Sequence, residues 1–409
     1  MSEQLWEILE SKDFYHGNYL EILGFASQLD ENLIRIHQDR LDEAKDYMRV
    51  FQIPYIQTIE DDSSEPEESL PSEPEDFERG VRYRRDVIHA IPSIECRLDY
   101  CPEPKVYDWM SYDEITSFVL TINSSFVSRV LTTSIGKTSE GRDIWQVRIR
   151  RGPCDEDKNF YLAAGSVGRE WIAPAVAVNF IWRLIYECLM APGYSFYIVP
   201  LLNPDGYEYS RNNVSNWIKN RVNTTNENCT GANIDRNYSY KFGEAGSSLE
   251  PCSDVYNGGV PFSQAENRAI DKGVAELHNV TMLMSFSSAF ENGGESILYP
   301  WSWSQLETPD SKITLQEYAN VFSQAAADAH DLKFTVKQAS FSPSSHSGTI
   351  TDWALGIKNA TSAFTVRLRG NSTSNYQDKS IILKAVEEAW AGFDALISRI
   401  TSDNDEGED

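Results

Sequence analysis

Glu170 is the first residue whose position suggests chemistry, because it stands at a turn between an apolar strand and a long apolar helix. The stretch AAGSVGREWIAP (163–174) runs from the strand through a glycine-containing turn to this acid. Catalytic zinc is held by three protein ligands, commonly His and Glu, and keeps a fourth position open for water. A His three residues before the Glu would complete the first pair of ligands, but Val167 occupies that position. The stretch therefore has the sequence of a metal-binding turn without its histidine.

The charge of the chain excludes one class of partner. The 409 residues carry a formal net charge of −26, whereas a nucleic-acid surface needs clustered Lys and Arg to neutralise phosphates. Much of the acidity lies in EDDSSEPEESLPSEPEDFE (60–78) and DNDEGED (403–409). Such segments bury too little apolar area to order themselves, so they indicate a linker and a tail. No apolar run reaches the length of about 18 residues that a membrane span requires.

The apolar pattern predicts the elements that must position Glu170. From about residue 106, predicted strands and helices alternate, which is typical of a sheet covered by helices. The strands are predicted near 145–150, 159–164, 194–201, 280–286 and 363–368, and the helices near 113–121, 171–190, 263–278, 315–330 and 379–399.

Four segments are predicted along the chain. Residues 1–62 form a small, truncated α+β unit, and residues 63–105 hold the acidic linker followed by the basic segment RGVRYRRD. That basic segment suits either a processing protease or a solvated loop that balances the neighbouring acids. Residues 106–400 form the main domain, and residues 401–409 form an acidic tail.

Cysteines and glycosylation motifs indicate an extracellular protein. The chain has an even number of Cys, at positions 96, 101, 154, 188, 229 and 252, which is consistent with disulfides. Asn-x-Ser/Thr sequons, the acceptors of N-linked sugars, suggest a secreted glycoprotein. They stand at Asn123, Asn213, Asn223, Asn228, Asn237, Asn279, Asn359 and Asn371. The opening MSEQLWEILESKDFYHG lacks the apolar core of a secretion signal, so either the start is truncated or the protein stays inside the cell.

Residues 106–400 resemble zinc metallocarboxypeptidases of the A/B type, on motifs that follow one another in order. These motifs are GKTSEGRDIW (136–145), REW (169–171), NPDGYEYSR (203–211), DRNY (235–238), CSDVYNGGVPFSQAE (252–266), LYP (298–300) and TDWALGIK (351–358). The resemblance implies an α/β fold with a mixed eight-stranded sheet flanked by helices. Residues 1–62, ending in IPYIQTIED, resemble the later part of the activation domain, which implies a partial α+β propeptide-like domain.

The resemblance also locates the positions of the metal ligands. The family binds zinc with an H-x-x-E pair and a second His at the end of a later strand, and these positions match Val167, Glu170 and Ser287. One carboxylate and a hydroxyl do not provide a zinc site. We therefore expect this chain to hold neither a metal nor another cofactor. The histidines of the chain lie elsewhere, and His346, in the loop SPSSHSG, is expected to be exposed.

The other catalytic positions of the family are replaced as well. Its general base matches Arg367 in FTVRLRG, and a guanidinium cannot accept a proton from an attacking water. The arginine that stabilises the oxyanion matches Ile218 in NWIKNR, and the tyrosine of the covering loop matches Ser344 or Ser345.

The clamp that the family uses for a substrate carboxylate is changed rather than lost. Its Asn-Arg pair matches Asp235 and Arg236, so an acid stands where the incoming carboxylate would bind. Arg169 is retained in the same substrate-like cleft, and Arg221 is a further candidate. We expect Asp235 to neutralise Arg236 and to weaken the attraction for anions.

These replacements predict a pseudoenzyme, an extracellular binding or regulatory module for peptides or for active carboxypeptidase relatives. One alternative is an active or residual carboxypeptidase that cleaves C-terminal residues from a site not recognised here. Another is a structural extracellular glycoprotein whose cleft has no ligand.

Two contacts are expected as well. Cys229 and Cys252 match the loop-closing disulfide of the family, and we expect them to be paired. Cys96–Cys101 is a candidate for a small local ring, whereas Cys154 precedes a strand and Cys188 ends the helix that runs back over it, so we expect these two to approach each other. A lone buried carboxylate is costly or shifts its pKa upward. We therefore expect Arg367 to take the place of the metal and to form a bidentate ion pair with Glu170.

Overall fold

The computed structural model describes residues 20–26, 31–36, 55–60, 85–90, 104–105, 108–127, 129–150, 158–186, 194–275, 277, 279–289, 294–370 and 378–405. The chain divides into two compact units, Met1–Cys101 and Pro102–Asp409. This boundary lies close to the predicted start of the main domain at residue 106.

The first unit contains a four-stranded antiparallel sheet with the strand order β1-β2-β4-β3. Its strands are Leu20–Ala26 (β1), Glu31–Ile36 (β2), Tyr55–Glu60 (β3) and Arg85–Ala90 (β4). Strand β4 comes from the segment that we predicted to be linker, and it pairs with both β2 and β3. This unit therefore extends beyond residue 62, where the sequence pattern led us to end it.

The second unit is a mixed eight-stranded sheet flanked by helices, which confirms the fold class expected from the sequence. Its strands are Val130–Lys137 (β5), Asp143–Arg150 (β6), Asn159–Ala164 (β7), Ser195–Val199 (β8), Val280–Ser288 (β9), Ser296–Tyr299 (β10), Thr335–Gln338 (β11) and Ser362–Leu368 (β12). They lie in the order β11-β10-β12-β9-β7-β8-β6-β5. The central strands β12, β9, β7 and β8 run parallel to one another.

Helices cover both faces of this sheet. They are Tyr112–Ser125 (α1), Ile172–Tyr186 (α2), Pro204–Asn212 (α3), Ala265–Ala275 (α4), Lys312–His330 (α5), Ile350–Gly356 (α6) and Ile381–Asp405 (α7). Helix α7 continues through five residues of the segment that we predicted to be an acidic tail beginning at residue 401. Among the described residues, no helix combines the length and the apolar character that crossing a bilayer requires.

Strand β7 shows why the sheet is buried on both sides. All six of its side chains are buried, as expected for a parallel strand between two helical layers. Phe160 stacks on Phe196 of β8, with ring centroids 5.3 Å apart, on the face that α7 covers. The next residue, Tyr161, points to the opposite face and joins the apolar cluster that includes Ile270 of α4 and Trp353 of α6.

The parallel arrangement determines where a site can form. The carboxyl ends of β12, β9, β7 and β8 meet at one edge of the sheet, and ligands of open α/β sheets bind at such an edge. Arg367, near the end of β12, is paired in register with Ser287 of β9. The turn that carries Val167 and Glu170 follows β7 directly. The fold thus brings segments that are far apart in the sequence to one place.

Candidate functional site

A pocket of about 290 Å³ opens at this edge of the sheet. Most of the site positions indicated by the sequence line it: Val167, Arg169, Glu170, Ile218, Asp235, Arg236, Ser287, Ser344, Ser345 and Arg367. Residues of the same face of β9 and β12, including Ser285 and Thr365, form its floor. The structure therefore brings the expected positions together in one cavity.

The turn after β7 is shaped by a glycine. Gly165 has a φ of +69°, and a Cβ atom there would lie 2.8 Å from Leu201 and 2.9 Å from Pro174. Such φ values are available to glycine at little cost. The Gly168 amide then donates to the Ile218 carbonyl over 3.0 Å. These contacts hold the turn against the neighbouring loop and direct the Glu170 side chain into the pocket.

Glu170 is an almost fully buried acid, with 3% of its surface exposed. The Ser287 hydroxyl donates to Glu170 Oε2 over 2.9 Å. Burial raises the pKa of Glu170 to about 7, while the hydrogen bond from Ser287 and the charges of Arg169 and Arg367 oppose the shift. Burial disfavours the charged form of a carboxyl group, so Glu170 gains a proton near neutral pH.

Arg367 takes a different partner from the one that the sequence suggested. Its guanidinium donates to the Ser342 hydroxyl and, over 2.7 Å, to the Ser342 carbonyl oxygen. In the part of the chain that the structure describes, no ion pair within 4.0 Å joins Arg367 to Glu170, so the predicted bidentate pair is wrong. The loop after β11 supplies acceptors in its place. Burial lowers the pKa of Arg367 to about 10, and the charges of Glu170 and Asp235 oppose this shift, so the guanidinium stays protonated at neutral pH.

Asp235 and Arg236 form the expected pair. Arg236 Nη1 donates to Asp235 Oδ2 over 3.1 Å and to the Asp235 carbonyl over 2.7 Å. Its Nε donates to the Gly246 carbonyl over 3.2 Å. Burial raises the pKa of Asp235, and the neighbouring charge of Arg236 lowers it. Much of the hydrogen-bonding capacity of the guanidinium is thus directed to its own neighbours.

The remaining candidates have distinct environments. Arg169 lines the pocket and donates to Asn216 Oδ1 over 3.0 Å, while Ile218 contributes an uncharged wall. Arg221, by contrast, lies over the ring of Tyr209, 3.7 Å from its centroid. It is not among the residues that line the pocket.

His346 was missed as a site residue, because its loop composition led us to expect an exposed side chain. It is half-buried in the pocket wall, and its amide donates to the Ser302 carbonyl over 2.8 Å. Burial lowers the pKa of His346 to about 3, with the charge of Arg236 acting in the same direction. Gly246 packs against this loop, because it has a φ of +55° and a Cβ atom there would lie 2.4 Å from the Ser345 carbonyl. His346 is therefore a neutral side chain in a closely packed loop.

The donor groups in this pocket do not fit zinc. A catalytic zinc site requires three nitrogen, oxygen or sulfur ligands from the protein. Val167 has no donor atom, and the Ser287 hydroxyl directs its hydrogen to Glu170. Across the described residues, no group of three His, Cys, Asp or Glu side chains is placed to hold a metal ion. Glu170 alone retains the ligand chemistry expected at this position.

A disulfide closes the loop beside the pocket. Cys229 and Cys252 are bonded, with their Cα atoms 4.9 Å apart, which confirms the expected pair. Asp254 and Val255, just after Cys252, line the pocket. Residues 96, 101, 154 and 188, which carry the other two proposed pairs, lie outside the described residues.

Comparison with known proteins finds carboxypeptidases, the same family that the sequence motifs resemble. The family described as zinc carboxypeptidase matches residues 115–392. Carboxypeptidase B of Astacus astacus is 29% identical over 298 residues, covering 70% of this chain and 95% of that protein. Carboxypeptidase A4 of Mus musculus is 27% identical over 290 residues, covering 68% of this chain and 67% of that protein.

Solved structures share the fold. Bovine thrombin-activatable fibrinolysis inhibitor, solved in complex with a tick carboxypeptidase inhibitor, has a TM-score of 0.66 and 24% identity, and covers 73% of this chain and 99% of its own. Carboxypeptidase A from Helicoverpa armigera has a TM-score of 0.67 and 18% identity, and covers 91% of this chain and 98% of its own. At these identities the likeness shows the fold alone.

Proposed function

Because the chain belongs to the zinc carboxypeptidase family, we propose that it is a member without the family's zinc-dependent activity, which uses its pocket as an extracellular binding or regulatory module. The observation that carries the proposal is the hydrogen bond from Ser287 to Glu170. It joins two side chains at positions that correspond to metal ligands and satisfies the acid with a hydroxyl. Val167, at the third position, has no donor atom. A zinc ion would therefore find one protein ligand, the Glu170 carboxylate, instead of the three that a catalytic site needs.

The position of the general base supports the same proposal. Arg367 stays protonated at neutral pH and is held by Ser342, so it cannot take a proton from water. General acid–base catalysis typically contributes about 10²–10⁴-fold to a rate, and removal of an oxyanion donor costs roughly a further 10²–10³-fold. Ile218, at the oxyanion position, has no hydrogen-bonding side chain. The replaced general base and the replaced oxyanion donor would each slow a different step of the same hydrolysis.

A binding role retains what the pocket still offers. Its volume of about 290 Å³ and its lining of serine and threonine hydroxyls suit a short peptide segment. The ligands that we propose are peptides or segments of active carboxypeptidase relatives. The pairing of Arg236 with Asp235 removes the bias for a free terminal carboxylate.

The redox chemistry of the chain supports the proposed extracellular location. Disulfides form and persist in oxidising compartments, and Cys229–Cys252 is such a bond. The sequons of the chain are consistent with the same compartment.

Metal analysis tests the proposal. Elemental analysis of the dialysed protein should find no stoichiometric zinc, whereas about one zinc per chain would contradict the proposed donor set. The double variant Val167→His/Ser287→His should recover zinc binding without peptidase activity, because Arg367 remains. The matched control Val167→His/Ser285→His places the second histidine two residues earlier on the same strand and should not bind zinc. Peptidase activity in the restored variant would show that the base position is wrongly assigned.

A further inference from the structure

We infer that the loop between Asn213 and Asn233 carries N-linked oligosaccharides at Asn213, Asn223 and Asn228, which form a glycosylated rim beside the pocket, and that the sequon at Asn237 stays unmodified. The inference shares the oxidising compartment with the proposed function, but it concerns the surface of the loop rather than the ligand of the cavity.

The three asparagines are accessible. Asn213, Asn223 and Asn228 are all exposed in the folded chain, and each begins an Asn-x-Ser/Thr sequon. Attached sugars are bulky and hydrophilic and belong on the surface of secreted proteins. The disulfide that begins at the next residue, Cys229, indicates the oxidising compartment in which such sugars are added.

Asn237 lies in an environment that excludes a sugar. Its side chain is fully buried. Its Nδ2 donates to the carbonyl oxygens of Asn257 and Val260 over 2.6 and 2.8 Å and to Ser263 Oγ over 2.9 Å, while its Oδ1 accepts from the Gln264 amide over 3.0 Å. A glycan on Nδ2 would remove these bonds, and buried polar groups without partners destabilise a fold. A folded chain is therefore unmodified here.

The position of the loop makes the sugars a rim. Ile218 and Asn233, which lie within or at the end of this loop, both line the pocket. The disulfide ties the loop to the segment that contains Asp254, a further wall residue. The loop that carries the three sequons therefore also supplies wall residues of the cavity.

Two other exposed sequons lie at the far edge of the sheet. Asn279 precedes β9, whose other end carries Ser287, and Asn359 lies before β12, whose other end carries Arg367. At about 3.3 Å per residue, Asn279 and Ser287 are separated by roughly 25 Å along the strand. Sugars at this edge would not affect access to the pocket, so the rim is a property of the 213–233 loop.

The chemistry of attachment needs one co-reactant, a lipid-linked oligosaccharide pyrophosphate. The asparagine Nδ2 forms a bond to the anomeric carbon of the sugar, and the bond from that carbon to the pyrophosphate oxygen breaks. The hydrogen that Nδ2 loses leaves as a proton, which the pyrophosphate accepts. No change of oxidation state occurs.

Site mapping tests the assignment. The full chain, secreted from a eukaryotic host, is digested with peptide N-glycosidase in ¹⁸O water, which converts each glycosylated Asn to a labelled Asp. Label at Asn213, Asn223 and Asn228, with none at Asn237, supports the inference. Absence of label from any of these three sites, or label at Asn237, overturns it. Substitution Asn226→Gln, in the same loop but outside any sequon, should leave the mass of the glycoprotein unchanged apart from the substitution.

Proteolysis tests whether the attached sugars cover the loop. Glu227 is exposed between two of the sequons, so a glutamate-specific protease should cut after it more slowly in the glycosylated chain than in the Asn213→Gln/Asn223→Gln/Asn228→Gln variant. Should that variant fail to fold, Ser215→Ala/Thr225→Ala/Thr230→Ala removes the same sequons and retains the asparagines. Equal cleavage rates would overturn the inference that sugars cover this loop. Zinc content and peptide binding play no part in either readout, so this inference and the proposed function fail separately.

Discussion

Substitution Glu170→Gln distinguishes a buried neutral acid from an ion pair. The structure gives Glu170 a hydrogen bond from Ser287 and little exposure to water. A glutamine of nearly the same shape accepts the same hydrogen bond but does not titrate. The difference in the free energy of unfolding between variant and parent therefore reports the cost of ionising this one carboxyl group.

The size and sign of the effect follow from the pKa of Glu170. Its value rises from 4.5 to about 7 on folding because of burial. Below pH 4.5 the carboxyl group is protonated in both states and imposes no pH dependence. Between pH 4.5 and 7 the folded chain binds a proton that the unfolded chain has lost, so stability falls as the pH rises. At 1.36 kcal/mol per pKa unit, the parent should lose about 3 kcal/mol relative to Glu170→Gln across this range.

Urea denaturation at a series of pH values between 4 and 8 measures the difference. The variant and the parent should have similar stability near pH 4, and the variant should be more stable by about 3 kcal/mol above pH 7. The variant Ser287→Ala is the matched control, because it keeps the carboxyl group and should therefore keep the pH dependence. A variant that is less stable than the parent by an amount that grows with pH would refute the reasoning. That result would mean that Glu170 is ionised and paired in the folded state, as in a direct contact with Arg367.

Three further substitutions test other parts of the structure. Cys229→Ala should lower the free energy of unfolding by about 3 kcal/mol, because the disulfide closes a loop with a sequence separation of 23; an unchanged urea midpoint would contradict this. Asp235→Asn should release the adjacent guanidinium of Arg236, and calorimetric titration should then show a preference for peptides with a free C-terminus over amidated ones, which the parent should lack. An equal preference in both proteins would show that Asp235 does not govern the charge of the pocket. Arg367→Met removes the hydrogen bonds to Ser342 and should speed amide hydrogen exchange in residues 339–346; unchanged exchange would show that other contacts hold this loop.

Strands in the centre of the sheet were predictable because burial on both sides requires continuous apolar sequence. Residues 159–164 and 280–286 are such runs, and both form strands, Asn159–Ala164 and Val280–Ser288. The short strands Ser296–Tyr299 and Thr335–Gln338 were not predicted, because four residues show no reliable period. Helix Ile350–Gly356 was missed for the same reason, since seven residues span about two turns.

The family resemblance indicated residues that the structure places around one pocket, whereas it gave no information on their hydrogen-bond partners. Val167, Glu170 and Ser287 were located by motif order along the chain, and the parallel strands bring them to one pocket. The partner of Arg367 depends on the path of a loop that reaches it from Ser342, 25 positions away. Charge complementarity alone favoured Glu170, but the nearby hydroxyl and carbonyl of Ser342 accept from the buried guanidinium. His346 was misplaced because loop composition predicts exposure and does not reveal close packing.

The most direct test of the central claim is release of C-terminal residues from peptides. The purified chain, separated from its N-terminal segment by limited proteolysis and also left intact, is incubated with peptides of varied C-terminal residue, with added zinc and with a chelator. The proposed function predicts no release above the buffer blank under any condition, because Val167, Ser287, Ile218 and Arg367 stand where the family resemblance places the groups of the zinc reaction. Release that requires zinc and stops with the chelator, and that is absent from a Glu170→Gln preparation, would contradict the account.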